Sequence, residues 1–259
     1  MAKGKDAFSY ALTKLIFDSI TFEDDITKKY WQNLIPSLKN VELDKDIENP
    51  AQKVELEFST TALFPNDKKP KIILCENTKK INTDTAEIIL EASSGEDCAR
   101  LLFISHVIAQ RFATHTYLVI SKECLEKKLI SKPEHIPFPP SFVIRDKTWK
   151  PDIVRPNHPA LSFKRIFFGN GKGPRDKAKL LIISHGKNSL KINEILKERN
   201  VKNIRHLELQ TLKPISKEII EQAKKSVKKI VTTSDTFSWL PEDELITPID
   251  FEDFNNLIN

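Results

Sequence analysis

Glycine is scarce in this chain, with six residues in 259. Loops that wrap a phosphate use glycine for left-handed turns and for close backbone approach, so most phosphate-binding fingerprints have little to build on. No GxGxxG occurs, which removes the dinucleotide signature. The run Gly169-Asn170-Gly171-Lys172-Gly173 lacks the GxxxxGK[ST] spacing of a P-loop, no apolar strand runs into it, and it reads as a flexible linker. Cysteine is rarer still. Cys75, Cys98 and Cys124 stand 23 and 26 residues apart without a CxxC. That spacing is wrong for zinc and the count is odd for a disulfide framework, so they read as reduced thiols of the core. No apolar run approaches the roughly 18–20 residues of a membrane span. The opening Met-Ala-Lys-Gly-Lys-Asp has neither a signal-peptide core nor the Arg/Ser bias of a transit peptide. The expectation is a protein of the cytoplasm or the mitochondrial matrix.

Apolar residues make up 39% and charged residues 30%, as in a soluble globular protein. The length suits two domains and buries enough surface to need neither disulfide nor metal. Net charge is +5, with Lys far exceeding Arg. Such a surface, with Glu and Asp abundant, reads as solvating.

Residues 7–20 place Phe8, Ala11, Leu12, Leu15, Ile16 and Ile20 at helical spacing and predict an amphipathic helix. A short helix is read near 30–38, a half-exposed strand at 54–58, and a loop at 65–70. Order sharpens at 71–75 and 86–90, both apolar strands. Ser93-Ser94-Gly95-Glu96-Asp97 then supplies a hydroxyl cap and an acidic first turn for a largely buried helix from 96 to about 113. Residues 116–121 are the next strand. Strand, long helix, strand is a βαβ unit with parallel pairing. Residues 131–177 hold more than half of the fifteen prolines and read as an interdomain connection.

Residues 180–184 form a continuous apolar strand, 185–189 a turn, and 190–199 a helix with Ile192, Ile195 and Leu196 inward, closed by Asn200. A strand follows at 204–209. Ser216 caps a second helix, 216–229, with Ile219, Ile220, Ala223 and Val227 inside and Lys217, Lys224 and Lys228 outside. A strand begins at 230. The order βαβαβ implies a parallel sheet. Residues 234–259 carry seven acidic residues and no Lys or Arg. The apolar residues of this tail, Trp239, Leu240, Ile246, Ile249, Phe251 and Phe254, suit docking on this protein or on a partner.

Residues 180–235 resemble the C-terminal domain shared by transketolases, the β subunits of 2-oxoacid dehydrogenase E1 components and 2-oxoacid:acceptor oxidoreductases. Leu-Leu-Ile-Ile-Ser-His-Gly from 180, Leu209-Gln210-Thr211-Leu212-Lys213-Pro214 with Ile215-Ser216-Lys217-Glu218, and Lys229-Ile230-Val231-Thr232-Thr233 carry the likeness. Residues 86–123 are similar to the last βαβ unit of the pyrimidine-binding domain in the same thiamine-diphosphate superfamily. The resemblance implies an α/β protein of two domains, each a parallel sheet flanked by helices. A degenerate pyrimidine-binding-like domain would span 1–130, a Pro-rich linker 131–177, and a transketolase C-terminal-like domain 178–235, or to 259 with the acidic tail.

The family's Gly-Asp-Gly pyrophosphate and metal motif does not occur here. In two-subunit members it lies on the partner chain. The resemblance therefore implies a subunit that acts only with a partner chain or as a homodimer. Thiamine diphosphate and Mg would be held at the interface with the partner, and none by this chain alone. The alternative is a catalytically inactive structural or assembly subunit that keeps the fold. For the glutamate that activates the cofactor, Glu55, Glu57 and Glu76 qualify by position alone.

His185-Gly186-Lys187-Asn188 has two readings. It is an anion-binding turn where a strand feeds a helix N-terminus, or a plain turn with a solvated Lys. His106 and His115 lack a carboxylate or thiol to complete a ligand set, and nothing orients His106 beside Ser105 as a triad requires. The lysine face of 216–229 has no aromatic residues interleaved for base stacking, which argues against nucleic acid.

Overall fold

The computed structural model describes residues 2–15, 17, 19–40, 54–59, 70–136, 152–156, 158–161, 163–168, 178–201, 204–224, 227–240, 246–250 and 253–254. The glycine-rich run 169–173 and most of the loop 65–70 lie outside them. The chain divides into two units, Met1–Val154 and Arg155–Asn259.

The first unit contains α1 (Gly4–Leu12), β1 (Ser19–Phe22), α2 (Asp25–Leu34), β2 (Glu55–Phe58), β3 (Lys71–Cys75), β4 (Ile88–Glu91), α3 (Gly95–Phe112), β5 (Thr116–Val119) and α4 (Lys122–Glu126). Its strands run in the order β1-β2-β3-β5-β4, each pair parallel. Every residue of β3, β4 and β5 is buried, as parallel strands covered on both faces must be. In β2 the alternation puts Leu56 and Phe58 inward and leaves Glu55 and Glu57 half-buried.

Helix α3 begins where the hydroxyl cap was read. The Ser94 side chain accepts from the Asp97 amide, and the Asp97 carboxylate accepts from the Ser94 hydroxyl at 2.8 Å. The helix ends at Phe112, with Ala113 in the left-handed region at φ 48°. Helix α1 packs on α3 through Ala7, Phe8, Ala11 and Leu12, all buried. Full burial of a phenylalanine such as Phe8 contributes about 2–3 kcal/mol. Two glycines let α1 and the start of α3 approach α4 and the residues after it. A Cβ on Gly4 would stand 2.2 Å from the Cys124 carbonyl oxygen, and one on Gly95 2.9 Å from Leu129 Cδ2.

Two expectations for this unit are corrected. The helix expected over 7–20 starts at Gly4 and stops at Leu12, and Ile20 belongs to strand β1. Ser-Ile-Thr-Phe is β-branched and aromatic and pairs with β2, Ile20 opposite Leu56. The short helix expected over 30–38 starts at Asp25, because the Asp24 side chain caps it by accepting from the Thr27 amide at 2.6 Å. It ends before Pro36, as a residue preceding proline disfavours the helical region, and a 3₁₀ turn follows at Pro36–Asn40.

The second unit contains β6 (Lys164–Phe168), β7 (Ala178–His185), α5 (Gly186–Glu198), β8 (Ile204–Leu209), β9 (Thr211–Lys213), α6 (Lys217–Lys224), β10 (Val227–Thr233), α7 (Ser234–Phe237) and β11 (Ile246–Ile249). Its sheet runs β11-β10-β7-β8-β6. All pairs are parallel except β6 with β8. Leu180, Ile182, Ile192, Leu196, Ile204, Val231 and Phe254 form one buried cluster. The acidic tail thus docks on this chain: β11 extends the sheet beside β10, and Phe254 is fully buried. Asn200 takes the left-handed conformation, φ 50°, that closes α5.

Here too two expectations are corrected. No turn separates strand from helix at 185–189, since β7 runs to His185 and α5 starts at Gly186, whose φ of 52° makes the bend that glycine allows. The second helix ends at Lys224, and Val227 and Lys228 belong to β10. The segment Val-Lys-Lys-Ile-Val-Thr-Thr is rich in β-branched residues and lies against β7, with Val227 opposite Ala178. The continuous lysine face expected over 216–229 does not exist.

Candidate functional site

In an open parallel sheet, ligands bind beyond the carboxyl ends of the strands, where the strand order reverses. In the second unit the chain leaves β7 for β8 on one side and later returns to place β10 on the other. The reversal point is therefore flanked by the end of β7 and the end of β10. All four residues of the expected anion-binding turn sit there. His185 is the N-cap of α5, without a side-chain cap bond, Gly186 is buried, and Lys187 is exposed. The Asn188 amide donates to the Asp235 carboxylate at 2.7 Å. The His185 ring stands edge-on to Trp239, with centroids 6.4 Å apart. A carboxylate and an indole of the same unit therefore lie against the first turn of α5. Thr232 fastens the two strand ends by donating to the Ile183 carbonyl at 2.9 Å.

Behind this junction runs a buried polar line that sequence reading missed. Ser184 Oγ lies 2.7 Å from Ser189 Oγ and 2.6 Å from His206 Nε2. His206 Nδ1 lies 2.7 Å from Asn193 Oδ1. Asn193 Nδ2 donates to Glu208 Oε2 at 3.2 Å, and Gln210 Nε2 to Glu208 Oε1 at 3.0 Å. A carboxylate only accepts, so Glu208 fixes the Asn193 amide, and its Oδ1 must receive a proton from His206 Nδ1. Nε2 then accepts from the Ser184 hydroxyl, which in turn accepts from Ser189.

The serine–histidine pair is not a nucleophile with its base. Ser184 and His206 are both fully buried, and desolvation pushes the imidazole down to about 3, too weak a base near neutrality. The line holds α5 to β7 and β8. Its sequence signal was legible in principle: Arg205, His206 and Glu208 are polar residues in a strand buried along its whole length.

In the first unit, three glutamates were in question. Glu55 and Glu57 share one face of β2, where Lys71 Nζ lies 3.2 and 3.4 Å from their carboxylates. Glu76 follows β3 at its carboxyl end, half-buried, and is hydrogen-bonded by Tyr30. Burial, then that carboxylate, raises the Tyr30 phenol above its ordinary value. Ser59, just past β2, donates to Glu23 at 3.0 Å. Phe22, Phe58 and Trp31 stack beside them, centroids 5.1 and 5.3 Å apart.

His106 lies edge-on to Phe17 at 5.4 Å, and His115 is buried between α3 and β5. Cys75, Cys98 and Cys124 are buried thiols outside any disulfide. Burial pushes the Cys98 thiol well up and Cys124 up to about 12. Among the described residues no three His, Cys, Asp or Glu side chains converge as a metal site, and no helix is long and apolar enough to cross a membrane. Of the three glutamates, Glu76 is the one that stands at a strand's carboxyl end.

No family model matches the sequence, and a search of curated proteins returns no match. Solved structures do match in fold. The 2-oxoglutarate:ferredoxin oxidoreductase from Magnetococcus marinus, solved with 2-oxoglutarate, coenzyme A and succinyl-CoA bound, superposes with a TM-score of 0.63 at 12% identity. The match covers 100% of this chain and 64% of that one, so the chain spans just under two thirds of its length. A split-gene transketolase, described as an inactive beta4 tetramer, superposes with a TM-score of 0.53 at 10% identity, covering 95% of this chain and 87% of the other. At these identities the likeness is one of fold: a mixed α/β, parallel-dominated, transketolase-like architecture.

Proposed function

We propose that this chain is a non-self-sufficient subunit of a thiamine-diphosphate-dependent 2-oxoacid oxidoreductase or dehydrogenase complex. The observation that carries the reading is the fold match to a 2-oxoglutarate:ferredoxin oxidoreductase over the whole chain. The resemblances of residues 86–123 and 180–235 to the same superfamily support it. A partner chain carrying Gly-Asp-Gly would hold the diphosphate and Mg, and the bound cofactor would supply the carbanion-stabilising chemistry. This chain would contribute the Glu76 carboxylate, held by Tyr30. Glu55 and Glu57 are already engaged by Lys71.

A second reading, an inactive structural subunit, draws support from Asp235 and Trp239. They occupy the first turn of α5 at the reversal point, where a ligand would approach the second unit. Native mass spectrometry on the complex from its own source, with small molecules identified after denaturation, separates the two. A stoichiometric Gly-Asp-Gly partner with thiamine diphosphate and Mg supports the first reading. An assembly without the cofactor sinks it. In an active complex, Glu76→Gln lowers turnover by about a hundredfold or more, while Glu55→Gln leaves it within a few-fold.

A further inference from the structure

Two of the three thiols share one corner of the first unit. Cys98 lies in the first turn of α3 and Cys124 in the first turn of α4, and the two helices pack on each other. Both residues are fully buried. Their S–H groups turn to one short stretch of chain: Cys124 donates to the Ala92 carbonyl at 3.4 Å, and Cys98 to the Ser94 carbonyl at 3.6 Å. Gly4 of α1 touches both residues. A Cβ on it would stand 3.1 Å from Cys98 Sγ and 3.1 Å from the Cys124 carbonyl carbon. Cys75 is placed otherwise, on β3, where its sulfur lies 3.9 Å from the Ile73 carbonyl.

The Gly4 contact makes residues 2–4 a cover over the pair. The Gly4 amide donates to the Lys127 carbonyl and the Leu129 amide to the Ala2 carbonyl, each at 2.9 Å. Glu126 adds ion pairs to Lys3 and Lys5, with all three side chains about a third exposed. Exposed pairs of this kind hold a segment only weakly, and weakly held segments open locally ahead of the rest of a fold. While the cover is closed, desolvation keeps both sulfurs protonated, and the thiol is the less nucleophilic form.

We propose that Cys98 and Cys124 are a redox pair, which a hydroperoxide converts to a disulfide when residues 2–4 lift. One sulfur attacks the peroxide and the O–O bond breaks. An alcohol leaves with the thiol proton, and a sulfenic acid remains. The second thiol attacks that sulfur, the S–O bond breaks, and water leaves. Two electrons pass from the sulfurs to the peroxide. The product ties the first turn of α3 to that of α4.

The test treats the full purified chain with cumene hydroperoxide over a time course. Each sample is alkylated in denaturant, digested without reductant and mapped by mass spectrometry. Wild type yields a peptide linking Cys98 to Cys124 that reduction removes, while Cys75 is recovered alkylated. Glu126→Lys takes away the anchor of Lys3 and Lys5 and forms the link about two- to fivefold faster. Circular dichroism shows that the variant is folded. Absence of the linked peptide from both proteins overturns the proposal, and so does a link through Cys75. A folded Glu126→Lys protein that oxidises at the wild-type rate overturns the cover. None of these outcomes depends on whether thiamine diphosphate is bound in a larger complex.

Discussion

His206 titrates in the unfolded chain near 6.5, while burial in the second unit pushes it down to about 3. The folded form therefore keeps a neutral ring over a pH range in which the unfolded form takes up a proton. Above about pH 6.5 the group leaves stability unchanged. Below it the unfolded state gains a proton that the folded state refuses, and stability falls by about 1.4 kcal/mol per pH unit. The loss continues until the folded ring itself titrates near 3. Between pH 6.5 and 5 the accumulated loss is about 2 kcal/mol, a large share of an ordinary domain's stability. His206→Gln removes the titration and keeps a buried amide that can both donate and accept. Urea unfolding of both proteins at pH 7.5, 6.5, 5.5 and 5.0, followed by tryptophan fluorescence, isolates the effect, since every other titrating group is common to the two. The wild type loses about 2 kcal/mol more than the variant across that window. Parallel pH profiles would refute the reasoning, by showing that the ring is protonated in the folded state or that its unfolded value is shifted as well.

Three further outcomes follow from the packing. Gly4→Ala places a methyl 2.2 Å from the Cys124 carbonyl, pushes α1 away from α4 and costs about 1–3 kcal/mol in denaturant unfolding. Phe254→Ala empties a fully buried site in the second unit's cluster and costs about 3–5 kcal/mol. An unchanged midpoint would mean that the tail does not dock. Ser94→Ala removes the N-cap of α3 and a bond to Asp97 and lowers stability by about 0.5–2 kcal/mol in the same assay.

What the sequence made legible depended on how locally each element is determined. β3, β4, α3 and β5 were readable because continuous apolar runs and a hydroxyl cap are local signals. Asn200 closed α5 for the same reason, since few residues enter the left-handed region cheaply. The failures came where tertiary pairing overrides periodicity. Ile20 continues the spacing of α1 yet pairs with Leu56, and Val227 continues that of α6 yet pairs with Ala178. Asp24 is a cap that side-chain spacing alone does not register, because it stands outside the apolar period. At the candidate site, the four residues of the β7–α5 junction were found by their place between strand and helix. The partners that meet them, Asp235 and Trp239, come from about 50 residues later. The line from Ser184 to Gln210 needs two strands and a helix to assemble, so only the unusual polarity of β8 hinted at it.

Phe254 also bears on how the second unit is made. Its apolar neighbours begin at Leu180, so the ribosome emits the first part of this cluster well before the last. At about 5–20 residues per second, the interval is roughly 4–15 s. Through that time Leu180 and Ile182 exist without their final partner. The nascent chain thus carries an unfinished, adhesive sheet through that interval, which makes it a period when a chaperone protects the second unit.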